Sequence, residues 1–277
     1  MEETIFQVPK SIKLFYKISF PFKLGILDKI YGKWLSNRGI CWVKTPVGNT
    51  WKLDLNMVTH RWILYESYSC NFLNWAKNNI PANGVVVDSG ANIGQMTLYF
   101  AKWFNEGKVL AFEPDLEAYK WLSECIYKNH NQNVELIKKG LGDKESSAVL
   151  IVPEDGKDKN LHAFWSFIST KSVDGQVISL TTLEEELQKR NIKEVDLWKL
   201  DVEGYELPAL KGAESLLKSH KIKAIYSELA IKEMNHVRIY NYLSDLGYHC
   251  HFFDSLGKLY PAKKMLDYQT DGLFLPK

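Results

Sequence analysis

Three acidic residues of this chain each stand at the end of an apolar segment. They are Asp88 after VVV, Glu113 after VLAF and Asp201 after LWKL. Apolar segments rich in β-branched residues predict buried strands, and the carboxyl ends of parallel strands meet at one ligand-binding edge of a sheet. Gly90 and Gly94 allow a tight turn after Asp88 in which backbone N–H groups face a ligand. The pattern therefore predicts a nucleotide pocket.

The spacing of the glycines argues against a dinucleotide. The dinucleotide fingerprint in this register needs glycine at 90, 92 and 95, whereas the chain has Gly90, Asn92 and Gln95. The carboxylate of Asp88 at the mouth of the turn would repel a diphosphate and suit a cation. S-adenosylmethionine carries a sulfonium and an ammonium group and no phosphate, so we expect it as the cofactor. The alternative is an ordinary buried strand that ends in Asp-x-Gly without a ligand.

Glu113 ends the second strand of the predicted βαβ unit, where an acid is placed to accept both ribose hydroxyls. Pro114 fixes the bend after it. A carboxylate here could instead cap the helix that begins near Asp115 and Leu116. Its distance from the glycine turn favours the ribose role.

Asp201 and Glu203 end a third predicted strand and lie two residues apart. Side chains at this spacing point to the same side of a strand, here toward the same crevice. Asp201 is our first candidate for orienting or deprotonating a substrate. Both carboxylates could instead cap the next helix or pair with Lys199 or Lys211.

Two further residues are weaker candidates for acid–base work. Glu228 follows the apolar segment AIYS, and His60 lies in the N-terminal part of the chain. Glu228 could simply pair with a lysine. His60 could simply contact Trp62 or Tyr65.

Five segments together resemble the FkbM-type methyltransferases in order and spacing. They are DSGANIGQMT, AFEPD, GLGDKE, TTLEEEL and LWKLDVEGYELPALKGA. The resemblance runs from about Tyr65 to the carboxyl terminus and implies the class I S-adenosylmethionine-dependent methyltransferase fold. Ser89, Gly140 and Glu184 depart from the usual family residues, which puts details of the substrate in question more than use of the cofactor.

The resemblance also implies roles for individual residues. Asp201 and Glu203 resemble the family's acidic pair beside the reaction centre. Tyr65 and Glu66 resemble a family pair that could close over the methionine end of the cofactor, or could merely start a helix. The full set expected to bind the cofactor is Tyr65, Glu66, Asp88, Ser89, Gly90, Ala91, Asn92, Gly94, Glu113, Pro114, Leu141, Gly142 and Asp201.

The elements that position these residues predict an α/β fold, doubly wound and Rossmann-like, with a mostly parallel seven-stranded sheet. Its strands are expected near 84–88, 108–113, 134–138, 195–201, 223–229, 248–253 and 271–275. The resemblance implies that the last strand is antiparallel. SAVLIV and QVISL predict two extra short strands. We expect an N-terminal helical arm or cap over 1–64 and a catalytic domain over 65–277.

The arm interleaves lysines with aromatic and aliphatic residues between Lys10 and Lys33. This composition suits an interfacial helix on an anionic membrane and also a helical arm packed on the catalytic domain with its lysines in water. Pro21 interrupts the segment. We favour the packed arm and keep the membrane surface as the alternative.

Composition limits the class of protein. A chain of 277 residues with 45% hydrophobic content can bury one substantial core, and a net charge of +2 implies no nucleic-acid partner. The four cysteines lack metal-ligand spacing, so we expect reduced thiols, no metal and a cytoplasmic protein, peripheral at the inner membrane face if the arm binds lipid. The oligomeric state stays open.

The resemblance implies O-methylation of a hydroxyl group on a saccharide, glycolipid or small secondary metabolite. One alternative is an RNA or protein methyltransferase, which predicts a broad basic face. Another is a non-catalytic protein that binds S-adenosylmethionine.

Overall fold

The structure is a computed structural model that describes residues 5–16, 22–66, 70–151, 167–169, 175–229, 235–262 and 271–277. Its strands are β1 Ile5–Phe6, β2 Ile40–Lys44, β3 Thr50–Asp54, β4 Val85–Ser89, β5 Lys108–Phe112, β6 Val134–Ile137, β7 Gly140–Leu141, β8 Ser146–Ile151, β9 Phe167–Ser169, β10 Gln176–Thr181, β11 Leu197–Leu200, β12 Ile225–Glu228, β13 Tyr248–Phe253, β14 Leu259–Pro261 and β15 Asp271–Pro276. Its helices are α1 Lys10–Lys13, α2 Lys23–Ser36, α3 Val58–Leu64, α4 Cys70–Asn79, α5 Thr97–Trp103, α6 Leu116–Lys128, α7 Leu183–Lys189, α8 Glu206–Lys211, α9 Glu214–Lys218 and α10 Asn235–Asp245.

The main sheet has the strand order β14-β13-β15-β12-β11-β4-β5-β6. The expected α/β, doubly wound fold is confirmed, and each of the seven expected strands is present. The sheet has eight strands rather than seven because β14 adds a short antiparallel pair to the edge of β13. β15 runs antiparallel to both neighbours, as the resemblance implied.

The order of the strands creates a crevice between β4 and β11. The chain proceeds from β4 to β5 and β6 on one side and continues through β11 and β12 on the other. At such a switch point the loops after the two central strands separate and leave room for a ligand. The glycine turn after β4 and the acidic loop after β11 are these two loops.

Alternating residues of the central strands enter two different cores. Val86 belongs to the core that includes Phe72 and Phe100, whereas Val87 belongs to the core that includes Leu210. Since side chains alternate across a strand, Asp88 continues the face of Val86 and Ser89 that of Val87.

A second sheet of four strands has the order β7-β10-β8-β9. β8 and β10 are the extra strands expected from SAVLIV and QVISL. β7 follows directly after β6 and pairs in parallel with β10.

The N-terminal part is more than a helical arm. β1, β2 and β3 form a three-stranded sheet, which the lysine-rich pattern did not indicate. β3 lies against α6, where the indole of Trp121 donates to the carbonyl of Lys52 at 2.7 Å. Residues of this part, such as Ile12, Leu27 and Trp51, are buried in the same core as Val86. The domain boundary after residue 64 stays a prediction.

None of the helices within the described ranges is long and apolar enough to cross a membrane.

Candidate functional site

The turn after β4 needs its glycines because its backbone lies against neighbouring elements. Gly90 has a φ of +72°, and a Cβ there would lie 1.8 Å from the carbonyl oxygen of Asp201. Gly94 has a φ of +95°, and its Cβ would lie 2.5 Å from Leu122 of α6. Asn92 also has a positive φ, of 50°, which asparagine tolerates better than most residues. The turn therefore fits tightly between the loop after β11 and α6.

Glu113 ties this turn to the end of β5. Its Oε2 accepts the backbone N–H of Asn92 at 2.7 Å, and its Oε1 accepts that of Asp115 at 2.8 Å. The capping alternative belongs instead to Asp115, whose carboxylate accepts the N–H groups of Glu117 and Ala118.

Burial raises the pKa of Glu113 to about 7, against the two backbone hydrogen bonds, which lower it. Each carboxylate oxygen can accept more than one hydrogen bond. Glu113 therefore keeps acceptor capacity for a hydroxyl, as a ribose ligand needs. Pro114 follows it, and the Pro114 carbonyl accepts a hydrogen bond from the side chain of Gln176 at 3.1 Å.

Lys199 lies beneath the glycine turn and is only 5% exposed. Its ammonium group donates to the carbonyl oxygens of Gly90 at 2.7 Å and Ser89 at 3.2 Å. It also lies 3.3 Å from a carboxylate oxygen of Asp88 and 3.5 Å from one of Asp201. The sequence offered Lys199 only as one alternative partner for Asp201. A lysine inside the apolar segment LWKL was the signal for this larger role.

Asp88 does not lie at the mouth of the turn, as the sequence suggested. It is fully buried, it accepts a hydrogen bond from the hydroxyl of Thr97 at 2.6 Å, and it faces Lys199. Since it sits inside the strand with its charge already paired, it acts on the turn through Lys199. Ser89 is also buried, on the opposite face, where its hydroxyl accepts the indole N–H of Trp198 at 2.7 Å.

Ala91 lies in the turn itself and is buried. Its backbone N–H, like that of Gly90, donates to the carbonyl of Phe112. These two bonds fasten the start of the turn to β5.

The acidic loop after β11 is organised by Glu206. Its Oε1 accepts the backbone N–H groups of Val202 at 3.0 Å and Gly204 at 3.1 Å. This arrangement leaves the side chain of Asp201 34% exposed and Glu203 exposed, with a φ of 53°. Asp201 and Glu203 therefore reach the open side of the crevice.

Glu228 extends this acidic edge by one strand. It ends β12, beside β11, and is opposite Asp271 in the register of β12 with β15. Burial is the largest cause that raises its pKa, to about 8, and the charges of Asp201, Glu203, Asp271 and Glu206 raise it further. Glu228 thus faces carboxylates where the sequence left open a pairing with lysine. Asp271 and Glu206 were not among the sequence candidates.

Leu141 and Gly142 reach the same region from β7. Leu141 is buried, and a Cβ on Gly142 would lie 3.4 Å from the ring of Tyr205 in the acidic loop. The structure therefore places these two predicted residues beside the loop after β11.

His60, Tyr65 and Glu66 lie elsewhere, among the contacts of the N-terminal part. Burial lowers the pKa of His60 to about 4, and its Nδ1 accepts the N–H of Asp54 at 2.8 Å. Such a histidine is neutral at physiological pH and belongs to the packing against α6.

The hydroxyl of Tyr65 lies 3.4 Å from the carbonyl oxygen of Leu27 and from the carboxylate of Asp28, so it faces the N-terminal helices. Glu66 accepts a hydrogen bond from the hydroxyl of Tyr99 at 3.3 Å. Since Tyr99 lies on α5, Glu66 is near the helix that follows the glycine turn.

The polar side chains along the crevice form an acceptor-rich, acidic set. Glu113, Asp201, Glu203 and Glu228 lie at the carboxyl ends of three strands of the sheet, β5, β11 and β12. No three His, Cys, Asp or Glu side chains among the described residues are arranged to hold a metal ion. Carboxylates accept hydroxyl hydrogen bonds and attract cations, and they repel phosphates. These acceptors fit a ligand with a ribose, an ammonium and a sulfonium group.

Residues 88–250 match the model of the methyltransferase FkbM domain. The matched segment begins at Asp88 and includes Glu113, Asp201 and Glu228.

Two curated fungal proteins are similar over part of their length. Methyltransferase 1 of Beauveria bassiana is 30% identical over 149 residues, which cover 48% of this chain and 60% of that protein. Methyltransferase sdnD of Sordaria araneosa is 28% identical over 163 residues, which cover 49% of this chain and 62% of that protein. The match therefore spans about three fifths of these relatives.

Solved structures are more distant. An rRNA methylase of Streptococcus thermophilus is 14% identical, with a TM-score of 0.42 over 73% of this chain and 91% of that chain. TYW2 of M. jannaschii, solved in complex with AdoMet, is 19% identical, with a TM-score of 0.40 over 86% of this chain and 87% of that chain.

Proposed function

This chain belongs to the FkbM methyltransferase family, and on that premise we propose that it transfers the methyl group of S-adenosylmethionine to a hydroxyl of a saccharide, glycolipid or secondary metabolite. The observation that carries the proposal is the crevice between β4 and β11. There a glycine turn, a ribose-competent carboxylate and an acidic loop converge, and Gly90 lies against the carbonyl of Asp201.

S-adenosylmethionine is the cofactor. It supplies a methyl group bonded to a sulfonium sulfur, and the leaving group is the neutral thioether. We assign Glu113 to bind the ribose hydroxyls. The backbone of the turn from Gly90 to Gly94 would contact the rest of the nucleoside. The acidic edge formed by Asp201, Glu203 and Glu228 provides the negative potential that a cationic ligand requires.

Asp201 is the residue we assign to the acceptor. Its side chain is one-third exposed at the crevice, so a hydroxyl can reach it. A carboxylate in hydrogen-bond contact orients the hydroxyl and takes its proton, which contributes roughly 10²–10⁴-fold to a rate. Lys199, 3.5 Å away, holds the Asp201 side chain from below.

Glu228 supports this arrangement by holding a proton. With a pKa of about 8 it is mostly neutral at pH 7, which limits repulsion within the acidic edge. A cation at the edge lowers this pKa, so binding of the cofactor releases a proton from Glu228 near neutral pH. NAD, with its diphosphate, has no such effect.

The first test is calorimetric titration with S-adenosylmethionine, its demethylated product and NAD, in two buffers of different ionisation enthalpy. We expect binding of the first two ligands and not of NAD. For S-adenosylmethionine we expect a buffer-dependent heat that reports proton release and is smaller in Glu228→Gln, where Glu113, with its pKa of about 7, still contributes. Binding of NAD alone, or of none of the three, would contradict the assignment of the cofactor.

The second test follows transfer of a labelled methyl group to a panel of saccharides, glycolipids and polyols. Asp201→Asn should lower turnover by about 10²-fold or more with little change in cofactor affinity. Asp245→Asn, an exposed carboxylate at the end of α10, is the matched control and should retain full turnover. Equal activity of Asp201→Asn would dismiss Asp201 as the base. Labelling of RNA or protein in place of the panel would reject a saccharide, glycolipid or secondary metabolite as the acceptor.

A further inference from the structure

Helix α2 turns an apolar ridge toward solvent. The ridge comprises Ile26, Ile30 and Trp34 of the helix and Phe22 directly before it, whose exposures are 44%, 60%, 39% and 86%. Residues four apart lie along one side of a helix. Leu27, Gly32 and Leu35 of the same helix are buried against the protein. The helix therefore carries apolar residues on both its buried and its exposed surface, and among the described residues only the first of these surfaces is covered.

The ridge is bordered by positive charge. Lys29 and Lys33 are exposed on the same side of α2, and the guanidinium of Arg38 lies 4.8 Å from the ring centre of Trp34. Residues 5–44 contain eight of the 35 basic residues of the chain and only one of the 33 acidic residues.

That single acidic residue is turned inward. Asp28 accepts hydrogen bonds from the guanidinium of Arg61, with Nη2 at 2.9 Å from its Oδ2. Arg61 is itself buried and also donates to the carbonyl of Leu55 at 2.8 Å. The ion pair fastens α2 to α3 and removes the one negative charge from the solvent side of this segment.

We propose that the outer face of α2 binds the surface of an anionic phospholipid bilayer. The apolar ridge enters the boundary between headgroups and acyl chains, and Lys29 and Lys33 extend to the lipid phosphates. Long lysine side chains cover apolar surface with their methylenes while their ammonium groups stay at the polar layer. Aromatic residues at both ends of the ridge, Phe22 and Trp34, suit this interface.

Charge favours lipid over a second copy of this chain. In a two-fold dimer through α2, Lys29 and Lys33 of each copy would approach the same residues of the other, and like charges in an interface oppose association. An anionic bilayer instead complements the lysines and covers the ridge. The inference does not depend on the proposed methyl transfer.

The test is flotation of the full chain with vesicles of phosphatidylcholine alone and of phosphatidylcholine mixed with phosphatidylserine. We expect binding to the mixed vesicles, weakened by salt. A combined variant, Phe22→Asn, Ile26→Gln and Ile30→Gln, should lower the partition coefficient by roughly tenfold or more. Its control replaces two exposed apolar residues elsewhere, Val177→Gln and Leu256→Gln, and should bind like the wild type.

A charge variant separates the two contributions. Lys29→Gln with Lys33→Gln should weaken binding roughly fivefold for each lysine, whereas Lys138→Gln with Lys221→Gln, two exposed lysines elsewhere, should change it little. Circular dichroism and binding of S-adenosylmethionine check that every variant is folded.

Four results would overturn the proposal: no binding of the wild type to the mixed vesicles, equal binding to both vesicle types, wild-type binding by the combined α2 variant, or a dimer in light scattering that this variant dissociates. The last result would assign the ridge to self-association.

Discussion

Replacing Lys199 by methionine tests how the glycine turn is held. The substitution keeps most of the apolar volume and removes the charge. It leaves Asp88, which is fully buried, without the ammonium group 3.3 Å away, and it removes the hydrogen bond to the Gly90 carbonyl at 2.7 Å. Breaking a buried ion pair from one side costs about 3–5 kcal/mol. We therefore expect Lys199→Met to lower the free energy of unfolding by about 4 kcal/mol.

Urea unfolding measures this loss, and two further variants identify its cause. Lys223→Met removes an ion pair with Glu194 in which both side chains are about half exposed, so it should cost under about 1 kcal/mol. Asp88→Asn combined with Lys199→Met should recover about 2 kcal/mol relative to Lys199→Met alone, because the amide is neutral and can still accept the hydroxyl of Thr97.

The same variant should weaken binding of S-adenosylmethionine, because the carbonyl of Gly90 loses its anchor. The reasoning is refuted if Lys199→Met costs no more than Lys223→Met. It is also refuted if the losses of Asp88→Asn and Lys199→Met simply add, because additive losses mean that the two side chains do not interact.

Three further predictions follow from the site. Gly90→Ala combines a left-handed φ with a Cβ 1.8 Å from the Asp201 carbonyl, whereas Gly204→Ala has a φ of +93° and nothing within 4 Å. In urea unfolding, Gly204→Ala should lower the free energy of unfolding by about 1 kcal/mol and Gly90→Ala by clearly more. Equal losses would show that the close approach of Gly90 to Asp201 is unimportant. The pKa of Glu113 is about 7 and ionisation strengthens its acceptor role, so affinity for S-adenosylmethionine should rise from pH 6 to pH 8 in calorimetry. The rise should be shallower in Glu113→Gln, where only Glu228 still contributes, and an unchanged slope would contradict the role of Glu113. The pKa of Glu228 is raised from 4.5 to about 8, so its contribution to stability is full below about pH 4.5 and is lost as pH rises through 8. The stability of Glu228→Gln relative to the wild type should therefore increase between pH 6 and pH 9. A difference in the free energy of unfolding that does not change with pH would contradict the raised pKa.

Most strands of the fold could be predicted from local sequence. The segments around Val85–Ser89 and Lys108–Phe112 form strands at the expected positions because apolar, β-branched residues suit a sheet buried on both faces. The three-stranded N-terminal sheet was missed because its short strands lie among lysine-rich helices whose pattern dominates that segment. The extra edge strand Leu259–Pro261 has only three residues, too few for a periodic signal.

The candidate site was predicted in part. Glu113, Gly90 and Asp201 meet at one crevice, as expected from residues that end neighbouring parallel strands. Asp88 was placed wrongly at the mouth of the turn, because a sequence shows that a carboxylate ends a strand but not which face it occupies. His60 shows the same limit, since a histidine in the N-terminal part gives no sign of which residues will bury it.

The sequence by itself determined the strands, the glycine turn and the acids at the strand ends, because each depends on the conformational preferences of a few adjacent residues. Only the tertiary structure decided that Lys199, which is 109 residues from Gly90, holds the turn and pairs with Asp88, and that Glu228 faces other carboxylates. It also decided that α2 has an apolar ridge which the described residues leave exposed. These features depend on sheet register and on which faces pack together, and such long-range contacts are fixed only when the whole chain folds.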